Sequence, residues 1–266
     1  MPKFACMELM WGGVEGAKLE PFLAEIAGLG FDGVALRGAT LAPFFKDPAA
    51  FRTLLQRHHL ALAASYLPVD RAAEWLAPLC EFLPQVGCSA LIAHGGQAST
   101  DPERRAFAAK LDAYGARAAQ FAVQLSYHHH SNSPFETLEQ TELLLHVTDP
   151  KHVALFLDTG HATQDFAGHP APTRARLLLE RFPHRPRFVE FKAWTPDHGL
   201  ASELGQGPLD LDAVVDWLVH AGHTRDTDWI TLEQNAPTPD QTPAACAARS
   251  LAVAKASFAR HAMAAR

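Results

Sequence analysis

The sequence predicts an α/β fold: a single (β/α)8 barrel (a TIM barrel) with its active site at the C-terminal ends of the strands. Three observations carry this. Short apolar runs alternate with stretches of helical period eight times along 266 residues, with no linker between units, the pattern of a parallel sheet covered by helices. Ionisable residues recur where the apolar runs end, which in a barrel is the rim that carries chemistry. The Gly-rich phosphate loop of an open dinucleotide-binding sheet is missing, because Gly12-Gly13 followed by Gly16 is too loose for that fingerprint and no acidic residue follows at the proper distance. The whole of 1–266 is therefore read as one domain.

The strands are expected at about 3–9, 32–37, 60–66, 89–94, 122–130, 152–158, 186–192 and 228–233, each apolar over several residues. Between them apolar residues return at spacings of three and four. Examples are Phe22, Leu23 and Ile26, then Trp75, Leu79, Phe82 and Leu83, then Leu211, Val214, Val215, Leu218 and Val219. Asp101-Pro102-Glu103 places a cap before a first-turn proline, and Ser133-Pro134-Phe135-Glu136 reads as a capping box. An alanine-rich last helix, about 240–262, would close the barrel. The stretch 193–208, which holds Trp194, Gly199, Gly205 and Gly207, lacks period and reads as a rim loop able to fold over a ligand.

Composition narrows the function. A net charge of −6 with dispersed Lys and Arg argues against a nucleic-acid or membrane surface, which would need a clustered basic face. No run reaches the ~18 apolar residues of a membrane span. Cys6, Cys80, Cys88 and Cys246 show no CxxC spacing, and Glu8 interrupts the N-terminus before a signal-peptide stretch can build. A reduced, cytoplasmic protein is expected, and a homo-oligomer is left open.

Strand parity then sorts the candidate site. Glu190 and Lys192 share one face of strand 7 while Val189 and Phe191 share the other; His128 and His130 share a face of strand 5, with Tyr127 and His129 opposite. Asp158 ends strand 6, Glu233 ends strand 8 and His94 ends strand 4. Three carboxylates converging on one imidazole would repel one another unless a cation sat among them. His128, Asp158, Glu190 and Glu233 are therefore candidate metal ligands, and this oxygen-rich set suits Mn²⁺ first, with Mg²⁺, Co²⁺ and Zn²⁺ as alternatives. Competing readings stand beside these. Asp158 could cap the next helix, Glu190 could pair with Lys192 or an arginine, His94 could be a hydrogen-bonded rim residue, and His129 is expected to pack under a helix or bond a backbone carbonyl. Arg37 and Tyr66, ending strands 2 and 3, are lesser candidates.

The chain resembles the sugar phosphate isomerase/epimerase superfamily of xylose isomerase-like barrels, which also holds inosose dehydratases and the endonuclease IV group. The resemblance rests on Tyr127-His128-His129-His130, on Leu157-Asp158-Thr159-Gly160-His161 with Ala167-Gly168 downstream, on Phe188-Val189-Glu190-Phe191-Lys192, on Gly205-Gln206-Gly207 and on Leu232-Glu233-Gln234. The Tyr-His-x-His element looks like the inosose dehydratase branch. By that resemblance Asp158 and Glu233 would be metal ligands and His161 a substrate contact. His128 falls where many members place a metal-binding glutamate, and Glu190 where the family has a histidine, so this chain exchanges two ligand types. Lys192 matches the lysine that follows.

The expected chemistry is proton abstraction beside the carbonyl of a keto-sugar or keto-inositol, with isomerase, epimerase or dehydratase outcomes. His130, Glu233 and Lys192 are the candidate catalytic groups, while His94, His161 and Trp194 would contact the carbohydrate or polyol. Two alternatives are carried: a non-catalytic carbohydrate-binding barrel, and an endonuclease IV-like repair enzyme, which the acidic net charge opposes.

Overall fold

A computed structural model describes residues 1–223, 225 and 228–264. Eight strands form a closed barrel in sequence order: β1 (Lys3–Met7), β2 (Gly33–Arg37), β3 (Ala61–Pro68), β4 (Ala90–His94), β5 (Gln124–His128), β6 (Val153–Asp158), β7 (Pro186–Phe191) and β8 (Trp229–Leu232). Every pair is parallel, and β1 closes the ring against β8 through Lys3↔Trp229 to Cys6↔Leu232. Between the strands run α1 (Leu19–Gly28), α2 (Gly38–Leu41), α3 (Pro48–Arg57), α4 (Ala72–Gln85), α5 (Asp101–Ala119), α6 (Leu138–Val147), α7 (Thr159–Asp165), α8 (Arg174–Arg181) and α9 (Leu211–His220), with α10 (Pro243–Ala264) last. None is long and apolar enough to cross a membrane among the described residues.

Burial separates two cores, as strand alternation requires. The larger lies between the sheet and the helical shell, with Leu23, Ile26, Phe51, Phe82, Leu111 and Phe258 among its members. The smaller fills the barrel with Ala5, Met7, Ala35, Ala63, Ala64, Tyr66, Ile92, Phe156 and Phe188. Phe156 and Phe188 stack at 5.8 Å and 11°, which fills the lumen below the polar residues. The mouth is thus built on a solid floor.

Several boundaries differ from expectation. β5 ends at His128, so His129 and His130 lie beyond it; β1, β7 and β8 end at Met7, Phe191 and Leu232, leaving Glu8, Lys192 and Glu233 just past their strands. Ser133 to Glu136 is not a helix start. The chain turns there, with Asn132 at φ +61° and the Glu136 carboxylate accepting from Asn132 N. The helix begins at Leu138, where Thr137 and Gln140 form a reciprocal capping box. At α5 the cap is Thr100, not Asp101: its hydroxyl accepts from Glu103 N while the Glu103 carboxylate accepts from Thr100 N.

The long connection after β7 is fastened. Thr195 and Gly199 exchange backbone hydrogen bonds, and Arg249 on α10 grips Glu203 through Nε and Nη2, both at 2.6 Å. Gln234 donates to Ala201 O at 2.7 Å. Gly207 is required, because its φ is +78° and a Cβ would lie 2.2 Å from the Trp194 carbonyl oxygen.

Candidate active site

Strands 5 to 8 bring their chemistry to one level, since His128 pairs with Phe156 and Asp158 with Glu190 in the ladder. His128, Asp158, Glu190, Lys192 and Glu233 are all buried. Asp158 is divided between two tasks. Its Oδ1 caps α7 by accepting from Gly160 N at 2.7 Å and His161 N at 3.0 Å, while Oδ2 lies 3.1 Å from His128 Nε2. The capping reading is realised through Oδ1, and Oδ2 is left facing His128.

The three carboxyls do not stand alone. Lys192 Nζ donates to Glu233 Oε1 and lies 3.7 Å from Asp158 Oδ2. Glu190 does not pair with Lys192 or an arginine. Its Oε2 accepts from Tyr66 OH at 2.5 Å, a bond from β3 to β7 across the lumen. Burial, then Glu233 and Asp158, push the Glu190 carboxyl well above the usual carboxylate range. Burial would raise Asp158 as well, yet Lys192, His161 and His128 hold it well below that range. Burial pushes His128 well below the usual imidazole range against the pull of Asp158. Desolvation works against the Lys192 charge, but Glu233, Asp158 and Glu190 keep it above the ordinary lysine value. The Lys192 ammonium thus stands within the crowding of carboxyls that the sequence assigned to a metal.

The histidines face different ways. His128 and His130 line the mouth with ring centroids 5.4 Å apart, and His130 lies 4.0 Å from His161. His129 points outward onto Phe166, and its Nε2 accepts from Asp158 N at 3.2 Å; it packs under the helical layer as expected, but bonds an amide instead of a carbonyl. His130 Nδ1 lies 2.7 Å from Ser131 O. A carbonyl only accepts, so Nδ1 carries the proton and Nε2 keeps its lone pair. Burial, then His161, lower the His130 pKa below its ordinary value.

His161 is fully buried. Its Nδ1 is 3.2 Å from Asp165 Oδ2 and 3.0 Å from Ser131 Oγ, Ser131 Oγ donates to the same carboxylate at 2.7 Å, and Gln164 donates to Ser131 Oγ at 3.0 Å. Ser131 N also approaches Nδ1 at 3.3 Å. The carboxylate decides the tautomer, because it can only accept and because ion–dipole bonds outweigh a long amide contact. Nδ1 is therefore protonated, and Nε2 faces inward, 3.9 Å from Asp158 Oδ2, with no hydrogen-bond partner.

His94, ending β4, sits 6.3 Å from the Tyr66 ring, and Trp194 is half-buried at the start of the fastened loop. Several residues escaped the sequence reading. Asp165 is one turn beyond His161 on α7, so i,i+4 spacing could have revealed it. Ser131 and Gln164 gave no signal. Glu8 lies just past β1, beside Arg37 at the end of β2, and the structure buries it under Arg37 (2.5 Å) and Thr40 (2.9 Å).

Two groups of ligand atoms lie close enough to hold one ion: His128, Asp158 and His161, and Asp158, Glu190 and Glu233. The residues fit a metal, since His161 Nε2 and Glu190 Oε1 are buried polar atoms left without a partner.

The sequence profile of the xylose isomerase-like TIM barrel family matches residues 23–256. The chain belongs to this family. Among curated relatives it is similar to an inosose dehydratase of Bacillus velezensis, 26% identical over 82% of each chain. Among solved structures it is similar to an L-ribulose 3-epimerase (TM-score 0.78, 18% identity, 100% of this chain and 97% of that one). It is also similar to the IolI protein with a bound zinc atom (TM-score 0.72, 17% identity, 97% and 99%). At these identities the two structures bear on the fold.

Proposed function

We propose that this barrel is an enzyme of the sugar isomerase, epimerase or dehydratase kind, which abstracts a proton beside the carbonyl of a keto-sugar or keto-inositol. Dehydration is the favoured outcome. The observation that carries the reading is the convergence of buried Asp158, Glu190, Lys192, Glu233, His128 and His161 around the Lys192–Glu233 and His128–Asp158 pairs, with half-buried His130 4.0 Å from the His161 ring. The inosose dehydratase relatives support it.

His130 is the base. Its lone pair on Nε2 and its lowered pKa leave it neutral and ready to accept a proton at neutral pH. Ser131 O anchors the far nitrogen, so the ring turns neither away nor over. A divalent metal held at Asp158 and its neighbours would polarise the substrate carbonyl and lower the acidity barrier at the adjacent carbon. Lys192 holds its proton too firmly to act as an acid near pH 7; its permanent charge instead attracts oxyanion character as the enolate develops. The C–H pair of electrons moves into the enolate and then expels the β-hydroxyl, which leaves as water with one added proton. The proton that His130 took from carbon is the one returned to the leaving hydroxyl, and Glu233, whose carboxylate bonds Lys192, is assigned to accept and relay it. His94 and Trp194 are assigned to substrate contact.

Nucleic acid is not a partner in this reading, and the cytoplasm is its compartment. The second reading is a non-catalytic carbohydrate-binding barrel, favoured by the Tyr66–Glu190 bond and the Lys192–Glu233 pair, which already satisfy two of the expected ligands. Turnover separates the two. His130→Asn should lower kcat on an inosose or ketose substrate by about 10²–10⁴ while leaving binding nearly unchanged; an unaltered kcat would remove His130 from catalysis, and binding with no turnover in the wild type would favour the second reading.

A further inference from the structure

On the metal-dependent reading above, we infer that the ion is held by two imidazoles and one carboxylate, His128, Asp158 and His161, and that the site selects zinc-like ions over Mn²⁺ and Mg²⁺. The sequence pointed to three carboxylates and one histidine. The geometry points to a different set.

The first argument is His161 itself. Its Nε2 is buried, aimed at Asp158 Oδ2 and bonded to nothing. A nitrogen lone pair in that position is costly to leave unmatched, and a cation matches it. The opposite nitrogen is fixed by Asp165, which accepts from Ser131 Oγ, itself accepting from Gln164. This carboxylate–histidine arrangement is what metal-ligating imidazoles use to set tautomer and ring direction. A substrate hydroxyl would require no such second layer.

Spacing is the second argument. His128 Nε2 and His161 Nε2 lie 3.1 and 3.9 Å from Asp158 Oδ2. Ligands about 2.0–2.1 Å from a tetrahedral zinc stand roughly 3.3–3.4 Å apart, so modest movement seats the ion. Asp158 can offer only Oδ2, because Oδ1 is committed to two α7 amides. A single oxygen with two nitrogens leaves a fourth position for water or a substrate oxygen.

Finally, the carboxylate alternative is already engaged. Glu233 Oε1 bonds Lys192 Nζ, and Glu190 Oε2 bonds Tyr66 OH. An ion among Asp158, Glu190 and Glu233 would have to displace an ammonium from Glu233, whereas the triad gives up the His128–Asp158 contact and shares Asp158 Oδ2 with Lys192 Nζ, which stands off at 3.7 Å. With nitrogen in the majority, Zn²⁺ and Co²⁺ are preferred to the oxygen-seeking Mn²⁺ and Mg²⁺.

Chelator-stripped full-length protein should be titrated with Zn²⁺, Co²⁺ and Mn²⁺ by calorimetry, with the visible absorption of bound Co²⁺ as a geometric readout. We expect Zn²⁺ to bind at least about 100-fold more tightly than Mn²⁺. His161→Asn should weaken Zn²⁺ and change the Co²⁺ spectrum, and Asp165→Asn should cost about 10–100-fold by releasing the ring. Glu190→Gln should leave Zn²⁺ affinity within about threefold, well under one decade. Loss of binding in Glu190→Gln with affinity kept in His161→Asn and Asp165→Asn would overturn the triad and move the ion to the carboxylates. A wild type that binds no ion would also overturn it, yet solvent-deuterium uptake by substrate would still judge the proton-abstraction reading separately.

Discussion

Lys192 keeps its charge in a buried site because Glu233 and Asp158 surround it. Removing one member of such a set leaves its partners charged and unpaired, which typically costs about 3–5 kcal/mol. Lys192→Met is therefore expected to destabilise the metal-free protein by that amount at pH 7 in urea unfolding. Adding Glu233→Gln should restore part of the loss; additivity of the two changes would contradict the coupling. His94 offers a second residue-scale test. Burial, then His130, depress it to about 4, against an unfolded value of about 6.5. Between those values the unfolded chain binds more protons, so stability falls as pH drops from 6.5 towards 4. His94→Gln should lower the slope of unfolding free energy against pH there by up to about 1.4 kcal/mol per unit. An unchanged slope would mean that His94 titrates alike in both states.

At the scale of elements, β6, the turn at Asp158 and α7 behave as one unit. Asp158 caps the helix, the helix carries His161 and Asp165, and its first turn presses against β7 where Gly160 leaves no room. A Cβ there would meet Lys192 Cγ at 2.8 Å, Lys192 Cβ at 2.9 Å and Leu200 Cδ2 at 3.0 Å. Gly160→Ala should therefore destabilise by about 1–3 kcal/mol, as overpacking does, and lower kcat by shifting Lys192; thermal unfolding and steady-state kinetics read the two effects. Full activity in this variant would show that α7 can slide without disturbing the site. This unit also marks what the sequence could disclose. Apolar runs located all eight strands within a few residues, because burial on both faces leaves a continuous signal. Cap positions were misplaced at Thr100 and Thr137, where several polar residues compete for one role. Glu190 and Lys192 were legible from strand parity, and Asp158 and Glu233 from the ends of their apolar runs. The Tyr66–Glu190 bond was not, since strands 3 and 7 meet only across a closed lumen. Nor was the Asp165–His161–Ser131 arrangement, which depends on how the chain turns after β5.

For the whole molecule, the barrel divides its labour by depth. Phe156, Phe188 and Ile92 fill the lumen, and the ionisable residues stand above them where strands give way to loops. Arg249 and Gln234 fasten the loop after β7 over that mouth. Burial of these charges lowers the dielectric around them, a condition under which fixed dipoles stabilise an enolate well. Proton abstraction is the step that isomerisation, epimerisation and dehydration would share, so it can be tested before the substrate is known. The measurement is NMR detection of solvent deuterium in a panel of ketoses and inososes incubated with the protein and Zn²⁺ or Mn²⁺ in D₂O. Label is expected at the carbon beside the carbonyl of at least one compound, and its loss in His130→Asn. Absence of label from every compound while ligand binding persists would rule out proton abstraction at this site.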